Sequence, residues 1–149
     1  MTRIFPGAKD YKTMVVKIGK EERGKIEETL GWELLPGQRE TFQYFDMLDA
    51  AGTRIGTIIA ASQKGEYGAI EFVVGIDTKN TVCGLYIQRS RERNRAFKER
   101  AFLDLFVGKK IVPLSGIDEA YKGKESPGTN AVIRGLKKEF AAYDMLVSK

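Results

Sequence analysis

The chain reads as an α+β protein: an antiparallel sheet of hairpin-connected strands, with a short N-terminal helix and two C-terminal helices. Three observations predict it. Between Thr41 and Gln88, short runs of β-forming residues are separated by turns of hairpin length. Beyond Asn94 the apolar spacing changes from two to three and four. Helix punctuation stands where it should, with Gly31 after Leu30 and Ser126-Pro127 before the last apolar stripe.

The elements follow in order. Residues 1–19 are irregular, with a Phe5-Pro6-Gly7 turn and a short edge strand at Met14–Ile18. Lys20–Leu30 is a charged helix whose inner face carries Ile26 and Leu30, four apart. Trp32, Leu34 and Leu35 lead into a Pro36-Gly37 turn. Four strands follow: Thr41–Asp49, Thr53–Ala61, Ala69–Ile76 and Val82–Gln88. Ala51-Gly52, Lys64–Gly68 and Asp77–Asn80 are the turns between them. Phe97, Ala101 and Leu105, with Phe102 and Phe106 beside them, make a helical stripe that Gly108 stops. A loop with Pro113, Gly116 and Gly123 precedes the last helix, whose buried side is marked by Ile133, Leu136, Phe140 and Tyr143. One domain spans 1–149, with 1–40 as N-terminal extension and helix and 41–149 as sheet and C-terminal helices.

Composition narrows the chemistry. The sequence has 149 residues, enough for a real core, and no His, which removes a His general base and the commonest zinc ligand. Cys83 is the only cysteine, so neither an internal disulfide nor a thiolate cluster can form, and its place between Val82 and Gly84 suits a small core residue. The formal charge of +5 permits anionic partners without requiring them. No apolar run approaches the ~20 residues of a membrane span, and no secretory signal is visible.

Two segments could carry a ligand. Ser126, Gly128, Thr129 and Asn130 combine hydroxyl, amide and backbone N–H groups at a helix start, which suits phosphate; Ser-Pro is equally an ordinary helix start. A basic run holds Arg89, Arg91, Arg93, Arg95, Lys98 and Arg100; its alternate arginines, in the strand before the helix, would project on one face as an anion-attracting rim, a docking patch or a solvated face. No stacking aromatics interleave with them, which argues against nucleic acid. Glu66-Tyr67-Gly68 is a ligand-facing turn or a plain hairpin connection. Phe72 and Tyr86 suit a core role better than a stacking one. Gly75 and Gly84, in facing strands, permit close backbone approach. No carboxylate pair or nucleophile–base spacing supports a hydrolase.

Taken together, these segments resemble the FMN-binding domain family, which includes flavoprotein components of the Rnf ion-translocating oxidoreductase and of the sodium-pumping NADH:quinone reductase. The resemblance rests on Ile4-Phe-Pro-Gly-Ala8, Leu30-Gly31-Trp32, Gly65–Asp77, Arg91-Glu92-Arg93, Phe102–Gly108 and Ser126–Leu136 with its Ala131-Val132. Where many members carry Ser-Gly-Ala-Thr, with the Thr esterified to FMN in some, this chain reads Gly123-Lys-Glu-Ser-Pro-Gly-Thr129. Ser126 or Thr129 falls at the acceptor position, depending on the gap. The close-approach Gly-Ala is absent, which counts against covalent attachment.

The resemblance implies an FMN-binding electron-transfer domain, a component of a larger assembly rather than a stand-alone enzyme. Its partners would be other subunits of a membrane redox complex on the outer face of the cytoplasmic membrane, reached through a missing N-terminal anchor or a partner. A cytoplasmic location is the alternative. Ser126, Gly128, Thr129 and Asn130 would hold the phosphate, Arg91 and Arg93 would supply positive charge, and Tyr67 would border the cofactor. Two other readings remain: a flavin-free docking module of the same descent, and a flavin-dependent reductase of a small substrate.

Overall fold

The computed structural model describes residues 3–92 and 96–148. Five strands form one antiparallel sheet in chain order: β1 (Asp10–Lys17), β2 (Thr41–Leu48), β3 (Arg54–Lys64), β4 (Ala69–Asp77) and β5 (Val82–Arg89). From β2 onward, chain order and sheet order coincide because each turn is too short for anything but a hairpin return. The β1–β2 connection interrupts the meander with α1 (Lys20–Leu30) and a 3₁₀ turn at Pro36–Gln38. The α+β class and the hairpin-connected sheet are thus as the sequence predicts, and the edge strand is longer, pairing from Asp10–Leu48 through Lys17–Thr41.

Alternation along the strands divides the sheet into two apolar faces. One carries Phe42, Tyr44, Ile59, Ile70, Phe72 and Val74, all buried against α4 (Pro127–Tyr143) and α1. Ile26 and Leu30 supply the inner side of α1, and Gly31 closes it in the left-handed conformation. Each large side chain buried here contributes about 1.5–3 kcal/mol relative to exposure. At the far end of α4, Arg54 donates to the Tyr143 hydroxyl and to Thr57 Oγ1, both at 2.9 Å, and pairs with Asp46. That network fixes the helix along the β2–β3 hairpin.

The opposite face carries Met47 and Ile58, with Phe45, Val73 and Cys83 beside them, and the N-terminal segment lies across it. Gly56, Gly75 and Gly84 open a channel there. A Cβ on Gly56 would run into the Phe5 ring, and one on Gly75 into Ile4 Cγ2. The close approach foreshadowed by Gly75 and Gly84 is therefore made by the protein's own Ile4 and Phe5. Burial on this face pushes the Cys83 thiol up to about 11, as suits a packed side chain.

Two details of the C-terminal half differ from the sequence reading. The single Phe-rich helix is broken into a 3₁₀ turn (Ala96–Lys98) and one helical turn, α2 (Arg100–Leu103). Glu99 between them is extended, at φ −72° and ψ 142°, which resets the helical phase. Phe97, Phe102, Leu103 and Phe106 are consequently buried, whereas Ala101 and Leu105 of the expected stripe are exposed. The following loop contains a further helix, α3 (Ser115–Ala120), which anchors itself through buried Ile117.

Candidate functional site

α4 starts as the Ser-Pro signal demands. Ser126 is extended, its Oγ accepts the Thr129 N–H at 3.2 Å, and Thr129 Oγ1 accepts the Ser126 N–H at 2.9 Å. The Thr129 hydroxyl also donates to the Ser126 carbonyl at 3.1 Å, and Thr129 is 1% exposed. Both hydroxyls are therefore spent on closing the helix end. Gly128 is buried beneath Phe97, whose ring a Cβ there would strike. Asn130 is exposed and faces a groove.

That groove, of about 910 Å³, runs between the start of α4, the β3–β4 turn, the Tyr121–Glu125 loop and Trp32. Its volume lies within the ~300–1,000 Å³ usual for small-molecule sites. Trp32 forms one wall and carries the Arg134 guanidinium 4.6 Å from its ring centroid and Lys137 Nζ at 5.4 Å. Tyr121 lies on another side, edge-on to Phe102 at 4.9 Å. Lys64, Lys122, Arg134 and Lys137 line the groove together with Glu66, Asp118 and Glu125. Lys137 is neutralised by Asp118 at 3.0 Å. Lys64, Lys122 and Arg134 have no carboxylate within ion-pair distance among the described residues.

The β3–β4 turn is tied down from outside. The Glu92 carboxylate accepts the Glu66 N–H at 2.8 Å and the Tyr67 N–H at 2.7 Å, and the residue is 8% exposed. Gly65 and Glu66 are thereby held along the groove wall.

Of the residues singled out in the sequence, Asn130 lines the groove, while Ser126, Gly128 and Thr129 shape its helix end from within. Tyr67 sits on the bordering turn, 43% exposed and outside the lining. Arg91 is exposed beside Glu92 and also outside it, and Arg93 lies outside the described residues. Sequence reasoning missed Trp32, Lys64, Tyr121, Lys122, Arg134 and the fixing role of Glu92. For Trp32 one signal existed, as the only tryptophan, placed just after a helix end. The others come from four separate segments, and only folding joins them.

The arrangement suits a ligand with an aromatic body and an anionic tail. Among the described residues, no group of three or more His, Cys, Asp or Glu is placed to hold a metal ion. Compared with models of known protein families and with the sequences of characterised proteins, the chain matches none.

Proposed function

We propose that this chain is an FMN-binding electron-transfer domain, a soluble part or relative of a membrane-associated redox complex. The observation that supports the reading is the groove itself, where two aromatic side chains, a helix start and three cations without a carboxylate partner among the described residues converge. Lys122, Arg134 and Asn130 are the residues to hold the phosphate, and Trp32 and Tyr121 those to flank the ring system. FMN supplies the redox chemistry when bound; the protein's part is to orient it and set its surroundings. With both helix-start hydroxyls engaged in the cap and Thr129 buried, attachment is non-covalent in this reading. The partners are other subunits of the complex, on the outer face of the cytoplasmic membrane. No helix among the described residues is long and apolar enough to cross a membrane, so contact with the bilayer would be through a partner or a further segment.

The test uses Trp32, the sole tryptophan, as reporter. FMN added to the folded protein should quench its emission saturably and raise the melting temperature. At 100 times the Kd the added stability is about 2.7 kcal/mol. The K122A/R134A variant should bind at least about tenfold more weakly. Linear quenching with no thermal shift, up to the solubility of FMN, would remove this reading. It would favour the second, a flavin-free docking module, which the self-satisfied cap at Ser126 and Thr129 supports: that helix start needs no ligand to complete it.

A further inference from the structure

A second basic depression lies at the end of β5, lined by Arg3, Tyr86, Arg89, Ser90, Lys98 and Arg100 among others, with a volume of about 420 Å³. It shares no lining residue with the groove at α4. We infer that this depression is a separate anion site that takes a phosphate monoester or pyrophosphate group.

Three observations carry the inference. The first is charge: among the described residues, four cations and no carboxylate line the depression. Arg89 reaches Glu71 only at 3.9 Å, with both side chains largely exposed, and Arg100 pairs with Asp104. Arg3 and Lys98 have no carboxylate partner among the described residues. Four like charges with counter-charges on only two of them repel one another, and a bound anion would relieve that.

The second is preorganisation. Two guanidiniums share the Tyr86 ring, Arg3 at 4.1 Å and Arg100 at 4.7 Å from its centroid. Arg100 is further fixed by donating to the Leu85 carbonyl at 2.8 Å. Arg3 is delivered to the ring by its neighbours Ile4 and Phe5, which are seated in the glycine channel on the sheet. Side chains already held in place lose less freedom on binding.

The third is donor chemistry. The Arg3 and Arg89 guanidiniums each offer a planar fork of N–H donors that matches phosphate oxygens in pairs, while Arg100, already donating to the Leu85 carbonyl and to Asp104, adds positive charge. Ser90 Oγ accepts the Glu92 N–H at 3.0 Å, which leaves its own hydroxyl hydrogen to donate. Two arginine forks, an ammonium and a hydroxyl suit a tetrahedral dianion better than a single carboxylate.

The test is an NMR titration of flavin-free protein with sodium pyrophosphate at constant ionic strength, following arginine side-chain Nε–H signals and the Ser90 amide. Saturable shifts confined to this depression are expected. R3Q/K98Q, which removes two cations without an ion-pair partner, should weaken binding about tenfold or more while keeping the wild-type spectrum elsewhere. R89Q serves as an independent variant should the double variant fold poorly. A second arm sediments the protein with phosphatidylcholine vesicles containing a phosphoinositide, against vesicles of equal charge made with phosphatidylserine. Selective, R3Q/K98Q-sensitive sedimentation assigns the phosphate to a lipid headgroup; pyrophosphate binding without it assigns a soluble ligand. Non-saturating shifts spread over surface lysines, or an unchanged affinity in both variants, would overturn the site. The FMN titration reports at Trp32 and this one at β5, so failure of either reading is seen separately.

Discussion

Replacing Glu92 by Ala tests whether one carboxylate holds the groove's sheet-side wall. Its two oxygens accept the Glu66 and Tyr67 N–H groups at 2.8 and 2.7 Å, from a residue only 8% exposed. A hydrogen bond to a charged acceptor contributes about 1.5–3 kcal/mol. Glu66 and Tyr67 themselves are exposed, so water recovers part of the loss once the carboxylate is gone. A net cost of about 2 kcal/mol for E92A follows from the low end of that range. For a chain of this size it lowers the melting temperature by roughly 4–8 °C. E92Q keeps one good acceptor but turns an NH₂ group toward the other N–H, and should lose about half as much. Calorimetry gives the global change, and amide hydrogen exchange at Glu66 and Tyr67 localises it, because a freed turn opens below the global barrier. FMN affinity should weaken alongside, since Gly65 and Glu66 line the groove. A melting temperature within about 1 °C of wild type, with exchange at 66 and 67 unaltered, would show that the carboxylate does not hold the turn.

Three further outcomes are expected. In α4 the buried pair Lys138 Nζ–Glu139 Oε1, at 2.8 Å, should make E139A cost about 3–5 kcal/mol, while K138M/E139L is at least as stable as wild type in urea titration. Burial holds the Glu139 carboxyl above its usual 4.5, so the folded protein keeps a proton that the unfolded chain releases. The resulting stability is full below pH 4.5 and fades as pH rises toward the folded pKa, so the melting-temperature advantage of K138M/E139L over wild type should grow from pH 4 to 7. Gly56→Ala forces a Cβ to 2.8 Å from the Ile76 carbonyl and onto the Phe5 ring, and should cost about 3 kcal/mol by urea midpoint. Cys83, raised to about 11 by burial, should react with iodoacetamide at pH 8 far more slowly in the folded protein than in urea.

Much of the fold was legible because its signals are local. Turn chemistry set the hairpins, Gly31 and Ser126-Pro127 punctuated helices, and the spacing of Ile26 with Leu30 marked an inner face. The Phe97–Phe106 region was misread because a helix-period stripe survives a break in the backbone: the extended Glu99 shifts the phase without changing the apolar count. Site residues were harder. Ser126 and Thr129 offered ligand chemistry in the sequence, yet the same atoms satisfy each other once the helix forms.

By itself the sequence determined the first helix, the hairpin-connected antiparallel strands and the position of the last helix, since hydrophobic period and turn geometry act over a few residues. Tertiary structure alone decided which side chains meet. It brought Trp32 to Arg134, Glu92 to the β3–β4 turn, and Ile4 into a channel cut by glycines from three strands. The reason is physical: contacts between distant segments depend on how helix and sheet dock, and side-chain volume summed over the whole core sets that docking.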